Sequence, residues 1–212
     1  MQDKHELKWK LVNFSEIDKY AIKSYCSVHG VSEGLNLGDV ASIKEDDMPC
    51  DIDLVTYGFP CQDLSVSGKL NGFVDKDGHK TRSGLFFDAF NFIKKVKPKI
   101  AIAENVKNLA SNRFADEFNT VLSLLEEAGY NNYWKVLNAK DYGVPQNRER
   151  VFIISIRKDI DNGKFKFPDP IGLDLCLLDE LEDEVDDKYY LSEEQINRFI
   201  HNDKNTKHGG GV

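Results

Sequence analysis

The order of apolar and amphipathic segments along the chain most constrains what it can fold into. Apolar or alternating runs, typical of strands, are interleaved with segments whose apolar residues recur at helical spacing. Such alternation indicates an α/β fold with a largely parallel sheet and helices on both faces. The expected strands are 10–14, 51–57, 99–103, 130–137 and 150–156, and the expected helices are 18–29, 83–95 with Ser83 as N-cap, 114–128 and 192–200.

The length of 212 residues suits one domain, or little more, with a sizeable core. No apolar run approaches the roughly 18 residues that a bilayer-spanning helix needs. The first residues contain no apolar stretch behind a basic one, so no secretory signal is expected and a cytoplasmic location is the default. The four cysteines have no C-x-x-C spacing, and without a secretory signal a disulfide framework is not expected; no metal site is expected either.

Charge is divided unevenly along the chain, whose net charge is −8. Residues 62–158 carry 16 basic and 11 acidic side chains, whereas residues 159–212 carry 6 basic and 14 acidic ones. An acidic protein is an unusual partner for nucleic acid, but its basic middle block could contact phosphate groups. Because basic blocks are usually solvated surface, this pattern alone is weak support for a nucleic-acid partner.

Three short segments carry residues suited to chemistry, and two of them end expected strands, where ligands bind in α/β sheets. Cys61 lies where a strand turns into the polar loop 62–81, so it is either a nucleophile or a turn residue without a role. Glu104 follows an apolar strand; burial there would raise its pKa and make it a proton donor, unless it reaches solvent. Arg148 and Arg150, two residues apart, would share one face and bind a polar ligand or form surface ion pairs.

Taken in order, these segments resemble three signature motifs of the DNA cytosine-5 methyltransferase family. The motifs are Pro60-Cys61-Gln62, Glu104-Asn105-Val106 and Gln146-Asn147-Arg148-Glu149-Arg150. Supporting similarities lie at 14–21, 38–40, 82–86 and 138–145, so that the resemblance covers residues 12–158. It implies an S-adenosylmethionine-dependent methyltransferase fold, Rossmann-like and mostly parallel in its sheet.

The resemblance also implies a reaction, the transfer of a methyl group to carbon 5 of a cytosine flipped out of double-stranded DNA, through a covalent Cys61 adduct. Glu104 would hydrogen-bond or protonate ring nitrogen 3, and Arg150 would hold the exocyclic oxygen, with Arg148 adding positive potential. Asn105 would orient the turn that carries Cys61. The loop would close over the base and exclude water, with Gln62, Ser65, Ser67, Lys69 and Lys80 as its polar residues.

The methyl donor implied by the resemblance is S-adenosylmethionine. Glu16 would accept hydrogen bonds from the ribose hydroxyls, and Ile17 would contact the face of the adenine ring. Asp39 would accept a hydrogen bond from the adenine amine. Val40, Pro60 and Leu85 would line the same pocket.

Two parts of the family pattern are not found in the sequence: the first strand with its Phe-x-Gly-x-Gly turn, and the target-recognition domain. We therefore expect a partial catalytic domain over 1–168, truncated at both ends, and an acidic, poorly structured segment over 169–212. Such a chain would bind cofactor weakly and have little activity alone, as a fragment or subunit of a bacterial or phage restriction-modification methyltransferase that a second chain complements. Two alternatives stay open: an inactive relic or interaction protein that keeps the scaffold, and an RNA cytosine methyltransferase.

Overall fold

The computed structural model describes residues 9–60, 82–173 and 175–205, and a four-stranded sheet lies at its centre. The spatial order of the strands is β1-β2-β4-β3. β1 and β2 are parallel, whereas β4 runs antiparallel to both β2 and β3. The strands are Leu54–Gly58 (β1), Ile100–Val106 (β2), Tyr130–Asn138 (β3) and Glu149–Arg157 (β4).

The sheet is therefore mixed, and the expectation of a mostly parallel sheet needs correction. The connection 139–148 between β3 and β4 is shorter than the dozen or so residues that a parallel crossover requires. β4 consequently turns back beside β3 and enters the sheet between β3 and β2. Periodicity predicts that a segment is a strand, but it carries no information on the direction in which the strand pairs.

Four α-helices occur in the described parts of the chain, each within a few residues of its expected position. The first begins after Asp18, whose carboxylate accepts hydrogen bonds from the backbone of Tyr20 and Ala21, and it ends at Gly30 in the left-handed conformation. The last helix extends beyond its expected end at residue 200. The helices are Lys19–His29 (α1), Phe86–Val96 (α2), Ala115–Glu127 (α3) and Glu193–Asn205 (α4).

Two of the expected elements differ in the structure. Ser83 is not an N-cap, because Arg82–Leu85 form a 3₁₀ turn and α2 begins only after Leu85. Residues 10–14 do not form a strand. Phe14 makes a single parallel bridge to Asn36, with hydrogen bonds to the backbone of Leu35 and Leu37, and no longer ladder continues from it.

The two faces of the sheet are covered to different extents. On one side, which we call the core face, alternate residues of β2 and β4 are 3% exposed or less. Side chains of α2 and α3 complete this buried cluster. The core-face residues of the two strands are Ala101, Ala103, Asn105, Val151, Ile153 and Ser155.

The opposite side, the open face, carries Ile102, Glu104, Phe152 and Ile154, and each of them is half-buried. None of these side chains belongs to the described buried cluster. Helices were expected on both faces, but the helical side chains of that cluster lie on the core face alone. The sheet thus has one dry face and one partly solvated face.

The segment 158–173, which we call the strap, lies along the β3 side of the open face. Its Asp161 carboxylate accepts hydrogen bonds from Asn131 and Tyr133, and its Phe165 packs against the Tyr133 ring. Further along, the backbone of Ile171 donates to Asp141, beyond the end of β3. The strap therefore carries the chain back from the end of β4 to the carboxyl end of β3.

The chain divides into two compact units, 1–173 and 174–212. The second unit contains α4, and every side chain described between 175 and 199 is exposed. The domain boundary expected near residue 168 stays a prediction. In the described parts of both units, no helix has the length and apolar character needed to cross a bilayer.

Candidate active site

An acidic residue and two arginines meet on the open face, near the carboxyl end of β2. The Nε atom of Arg150 lies 3.0 Å from Oε1 of Glu104, and Nη2 of Arg148 lies 3.5 Å from the same oxygen. The register of β2 and β4 explains the contact, since Glu104 is opposite Phe152 and Arg150 is one diagonal step away. The two arginines reach the same side of β4, as their spacing predicts.

Glu104 itself lies inside β2 rather than beyond its end, because the strand continues to Val106. Its side chain is 40% exposed. Of the two alternatives for this carboxylate, burial and contact with solvent, the structure favours the second, and two guanidinium groups pair with it. Gly58, opposite Glu104 on β1, has no side chain that would cover it.

Beside Glu104 the open face forms a depression with a volume of about 400 Å³. Ile102 and Phe152 supply apolar side chains to its lining, and Thr56 and Glu104 supply polar ones. A mixed lining of this kind is typical of sites that bind small ring compounds. The depression is lined by Thr56, Tyr57, Gly58, Ile102, Glu104 and Phe152.

Asn105 faces away from the depression and into the core, where it is 3% exposed. Its side-chain amide donates a hydrogen bond of 3.2 Å to the backbone carbonyl of Phe59, and its carbonyl accepts one from the backbone of Val106. Asn105 thus connects the end of β2 to the turn that leads to Pro60, which is exposed. Cys61 and the expected loop residues Gln62, Ser65, Ser67, Lys69 and Lys80 lie outside the described residues.

A second group of expected site residues is organised by Asn36, which the sequence analysis did not single out. The Asn36 side chain accepts hydrogen bonds from the backbone of Glu16 and Gly38, and its amide donates to the Glu16 carbonyl. Oε1 of Glu16 accepts from the backbone of Ile17 and Asp18, which fixes the carboxylate at the start of α1. The Ile17 side chain is 74% exposed.

Asp39 directly follows Gly38 and caps a 3₁₀ turn, where its Oδ1 accepts a hydrogen bond from the Ala41 backbone. That turn contains Val40 and packs beside α2, and half-buried Leu85 immediately precedes α2. Glu16 and Asp39 therefore lie on adjoining loops. Carboxylates suit hydroxyl and amine donors, and an exposed isoleucine suits the face of a flat ring. This set of groups fits the adenosine half of S-adenosylmethionine.

An ion pair that no sequence pattern indicates neighbours the Glu104 cluster. The Lys107 ammonium group lies 3.0 and 2.9 Å from the two carboxylate oxygens of Glu149. Both residues belong to or adjoin the motifs that were recognised, but their pairing depends on the register between β2 and β4. No sequence pattern within either segment predicts that register.

Comparison with known proteins identifies the family of the chain. The model for C-5 cytosine-specific DNA methylases matches residues 4–212. The type II methyltransferase M2.ScrFI of Lactococcus lactis subsp. cremoris is 47% identical over 161 residues, which are 76% of this chain and 43% of that protein. The orphan methyltransferase M.SPRI of Bacillus phage SPR is 39% identical over 220 residues, covering 91% of this chain and 49% of that protein.

The solved structures agree in fold. A DNMT2 variant of Spodoptera frugiperda superposes with a TM-score of 0.67 at 18% identity, covering 92% of this chain and 59% of that one. The S. pombe Dnmt2 methyltransferase gives a TM-score of 0.61 at 20% identity, covering 91% and 58%. The chain spans about half the length of the curated relatives named above. It belongs to the C-5 cytosine-specific DNA methylase family, whose methyl donor is S-adenosylmethionine.

Proposed function

We propose that this chain carries the cytosine-binding and reacting residues for methyl transfer to carbon 5 of cytosine in double-stranded DNA. The observation that supports the proposal most directly is the Glu104 carboxylate, held by Arg150 and Arg148 at one end of the open depression. The partners of a cytosine edge are an acidic group for ring nitrogen 3 and a cationic donor for the exocyclic oxygen. Glu104 and Arg150 supply both groups within 3.0 Å of each other.

Cys61 is the proposed nucleophile, since it follows the turn that Asn105 connects to β2. Its thiolate adds to carbon 6 of the ring, and the electrons of the 5,6 double bond become available at carbon 5. Negative charge then develops on nitrogen 3 and the exocyclic oxygen. Glu104 would hydrogen-bond or protonate nitrogen 3, and the Arg150 guanidinium would stabilise the charge on the exocyclic oxygen, with Arg148 adding positive potential.

When S-adenosylmethionine is bound, it supplies an electrophilic methyl group on a sulfonium centre. Glu16 would accept from the ribose hydroxyls and Asp39 from the adenine amine, with Ile17 against the adenine ring. Val40, Leu85 and Pro60 would complete the pocket. After transfer, solvent water would accept the carbon 5 proton while the Cys61 thiolate departs, which restores the 5,6 double bond. A proton that Glu104 gave to nitrogen 3 would return to it, so that the enzyme regains its starting state.

A base inside a duplex cannot enter the depression, so the target cytosine must leave the stack. The polar loop that contains Gln62, Ser65, Ser67 and Lys69 would close over the extruded base. The curated relatives are about twice as long as this chain. We propose that a complementing polypeptide supplies further binding elements, including those that read the DNA sequence, and that the chain alone is weakly active or inactive.

Covalent trapping on duplex DNA tests this function. A duplex containing 5-fluorocytosine retains the adduct, because fluorine at carbon 5 cannot depart as the proton does. The full chain, with S-adenosylmethionine and a polypeptide carrying the remaining part of a relative, should give a complex that survives denaturing electrophoresis, and the chain without that polypeptide should give little or none. Cys61→Ser should abolish the complex, whereas the matched control Cys50→Ser should retain it, because Cys50 is an exposed thiol outside the site.

Three results would contradict the proposal. Trapping that persists in Cys61→Ser would exclude this thiol as the nucleophile. Methylation of transfer RNA without methylation of duplex DNA would favour the RNA cytosine alternative. Failure of the chain to trap DNA, both alone and with the complementing polypeptide, would favour a scaffold without the reaction.

A further inference from the structure

Two ion pairs lie where β2 ends and β4 begins. On the open face, Glu104 pairs with Arg150 and Arg148. Beyond the last register pair, Val106 with Arg150, the chain continues to Lys107 on one strand and begins with Glu149 on the other. Lys107 begins the 3₁₀ turn 107–110 that follows β2, and alternation along β4 places Glu149 on the side of the core face.

This arrangement separates two carboxylates that could bind the same arginines. Glu149 stands between Arg148 and Arg150 in sequence, and Nη1 of Arg150 already donates a hydrogen bond of 2.8 Å to the Glu149 backbone carbonyl. The Glu149 side chain is 45% exposed, so nothing in its packing prevents it from turning toward these guanidinium groups. A Glu149 carboxylate that turned toward the neighbouring arginines would attract their guanidinium groups strongly enough to compete with Glu104.

In the structure, the Lys107 ammonium group lies within 3.0 Å of both oxygens of the Glu149 carboxylate. We propose that Lys107 is a positioning residue: it holds the Glu149 carboxylate on the core-face side of β4 and so reserves Arg148 and Arg150 for Glu104. The consequence for catalysis rests on the proposed function, since a free Glu149 would divert Arg150 from the exocyclic oxygen. The charge arrangement itself does not rest on it.

An ordinary surface ion pair makes different predictions from a positioning pair. Exposed pairs contribute little to stability, and removing either partner of such a pair has much the same effect. In the positioning role the two residues are not equivalent. Loss of Lys107 releases a competitor, whereas loss of the Glu149 charge removes the competitor, so the second change should rescue the first.

The test measures the Arg150 Nε–H group by nuclear magnetic resonance in the full chain labelled with ¹⁵N-arginine, without DNA or methyl donor. The signal is assigned by its disappearance in Arg150→Lys. In Lys107→Met, the hydrogen-exchange rate of this group should rise by about fivefold or more, as expected for a weakened charge-assisted hydrogen bond. The rate should be unchanged in Glu149→Gln and in Lys107→Arg, and it should return to the original value in the double variant Lys107→Met with Glu149→Gln.

Equal exchange rates in Lys107→Met and the original chain would overturn the proposal, and so would a rise in Glu149→Gln or a double variant that stays fast. If Lys107→Met does not fold by circular dichroism, Lys107→Gln, which also removes the positive charge, replaces it in the single and the double variant. Because the readout needs no reaction, its outcome is independent of whether the chain transfers methyl groups. In an active complex, Lys107→Met should lower kcat more than it raises KM for S-adenosylmethionine.

Discussion

The core face and the open face of the sheet are built from the same strands, yet they differ in what their side chains can do. Ile153 on the core face is 1% exposed and packs in the cluster with α2 and α3, whereas its neighbour Ile154 on the open face is half-buried. At the end of β2, the same division places the amide of Asn105 in the core and the carboxylate of Glu104 beside the depression. Complete burial on one face stabilises the fold, and incomplete burial on the other leaves charged groups accessible to a ligand.

The two adjacent isoleucines give the largest expected difference between the faces. Ile153→Ala should lower the free energy of unfolding by about 2–5 kcal/mol, because it removes a fully packed side chain and leaves a cavity. Ile154→Ala should cost about 1 kcal/mol, because much of that side chain already contacts water. Urea unfolding followed by circular dichroism measures both values. Equal losses would mean that the open face is as well covered as the core face.

The sequence predicted the central strands of the sheet well, and this success has a physical basis. Apolar segments such as 99–103 and 150–156 are recognisable because burial and strand geometry act on local residues. Pairing direction and register are not local, so the antiparallel course of β4 and the Lys107–Glu149 pair could not be predicted. Whether Glu104 is buried or reaches solvent stayed open for the same reason, since its exposure depends on Gly58 of a neighbouring strand.

The candidate site was predictable as a set of residues but not as an arrangement. The spacing of Arg148 and Arg150 predicted that both side chains lie on one side of the strand, and this prediction needs no knowledge of the rest of the fold. Asn36, which connects the Glu16 loop to the Asp39 loop, was missed because its role depends on bringing segments twenty residues apart into contact. The roles of all the candidate site residues stay predictions, including those of Cys61 and of the 62–81 loop.

A second comparison between the faces uses two asparagines. Asn105→Ala should lower the free energy of unfolding by about 1–3 kcal/mol, because it removes a buried amide that donates to the Phe59 carbonyl. Asn131→Ala, on the open-face side, should change it by about 0.5 kcal/mol or less, since that side chain is exposed and its partner Asp161 can bind water. Thermal unfolding of the two variants checks the contrast. A larger loss in Asn131→Ala would contradict it.

Tyr57 lies on the core face, opposite Ala103, and tests whether every buried group there stabilises the fold. Its hydroxyl is buried and has no hydrogen-bond partner among the described residues, and burial raises the pKa of this phenol above its ordinary range. Tyr57→Phe should therefore leave stability unchanged or raise it by about 1 kcal/mol, since no hydrogen bond is lost and a buried polar group is removed. Tyr130→Phe is the matched control, because the Tyr130 hydroxyl donates a 2.8 Å hydrogen bond to the Pro98 carbonyl. That variant should lose about 0.5–1.5 kcal/mol, and similar losses in both variants would show that Tyr57 has a partner after all.

The dependence of stability on alkaline pH provides a second test of Tyr57 and Tyr130. Burial also raises the pKa of Tyr130, to about 12. A group whose pKa is higher in the folded state stabilises the fold fully below its unfolded pKa of about 10 and loses that contribution as the pH rises through the folded value. Urea midpoints should therefore fall between pH 10 and 12, and they should fall less steeply in Tyr57→Phe than in the original chain. A decline of equal slope would assign the loss to other groups.

The smallest expected effect concerns the strap on the open face. Hydrogen bonds from the Asn131 amide, the Gly163 backbone and the Tyr133 hydroxyl lower the pKa of Asp161 below its ordinary value of 3.8. A carboxyl group with a lowered folded pKa stabilises the fold above its unfolded pKa and loses this contribution as the pH falls through the folded value. The difference in urea midpoint between Asp161→Asn and the original chain should thus be constant from pH 6 to 7 and shrink below about pH 4. Asp169→Asn, an exposed position on the same strap, is the control and should show no such trend. If the difference persists unchanged at low pH, the Tyr133–Phe165–Phe167 ring contacts rather than the carboxylate hold the strap. Apolar packing would then stabilise this part of the open face, as it does the core face.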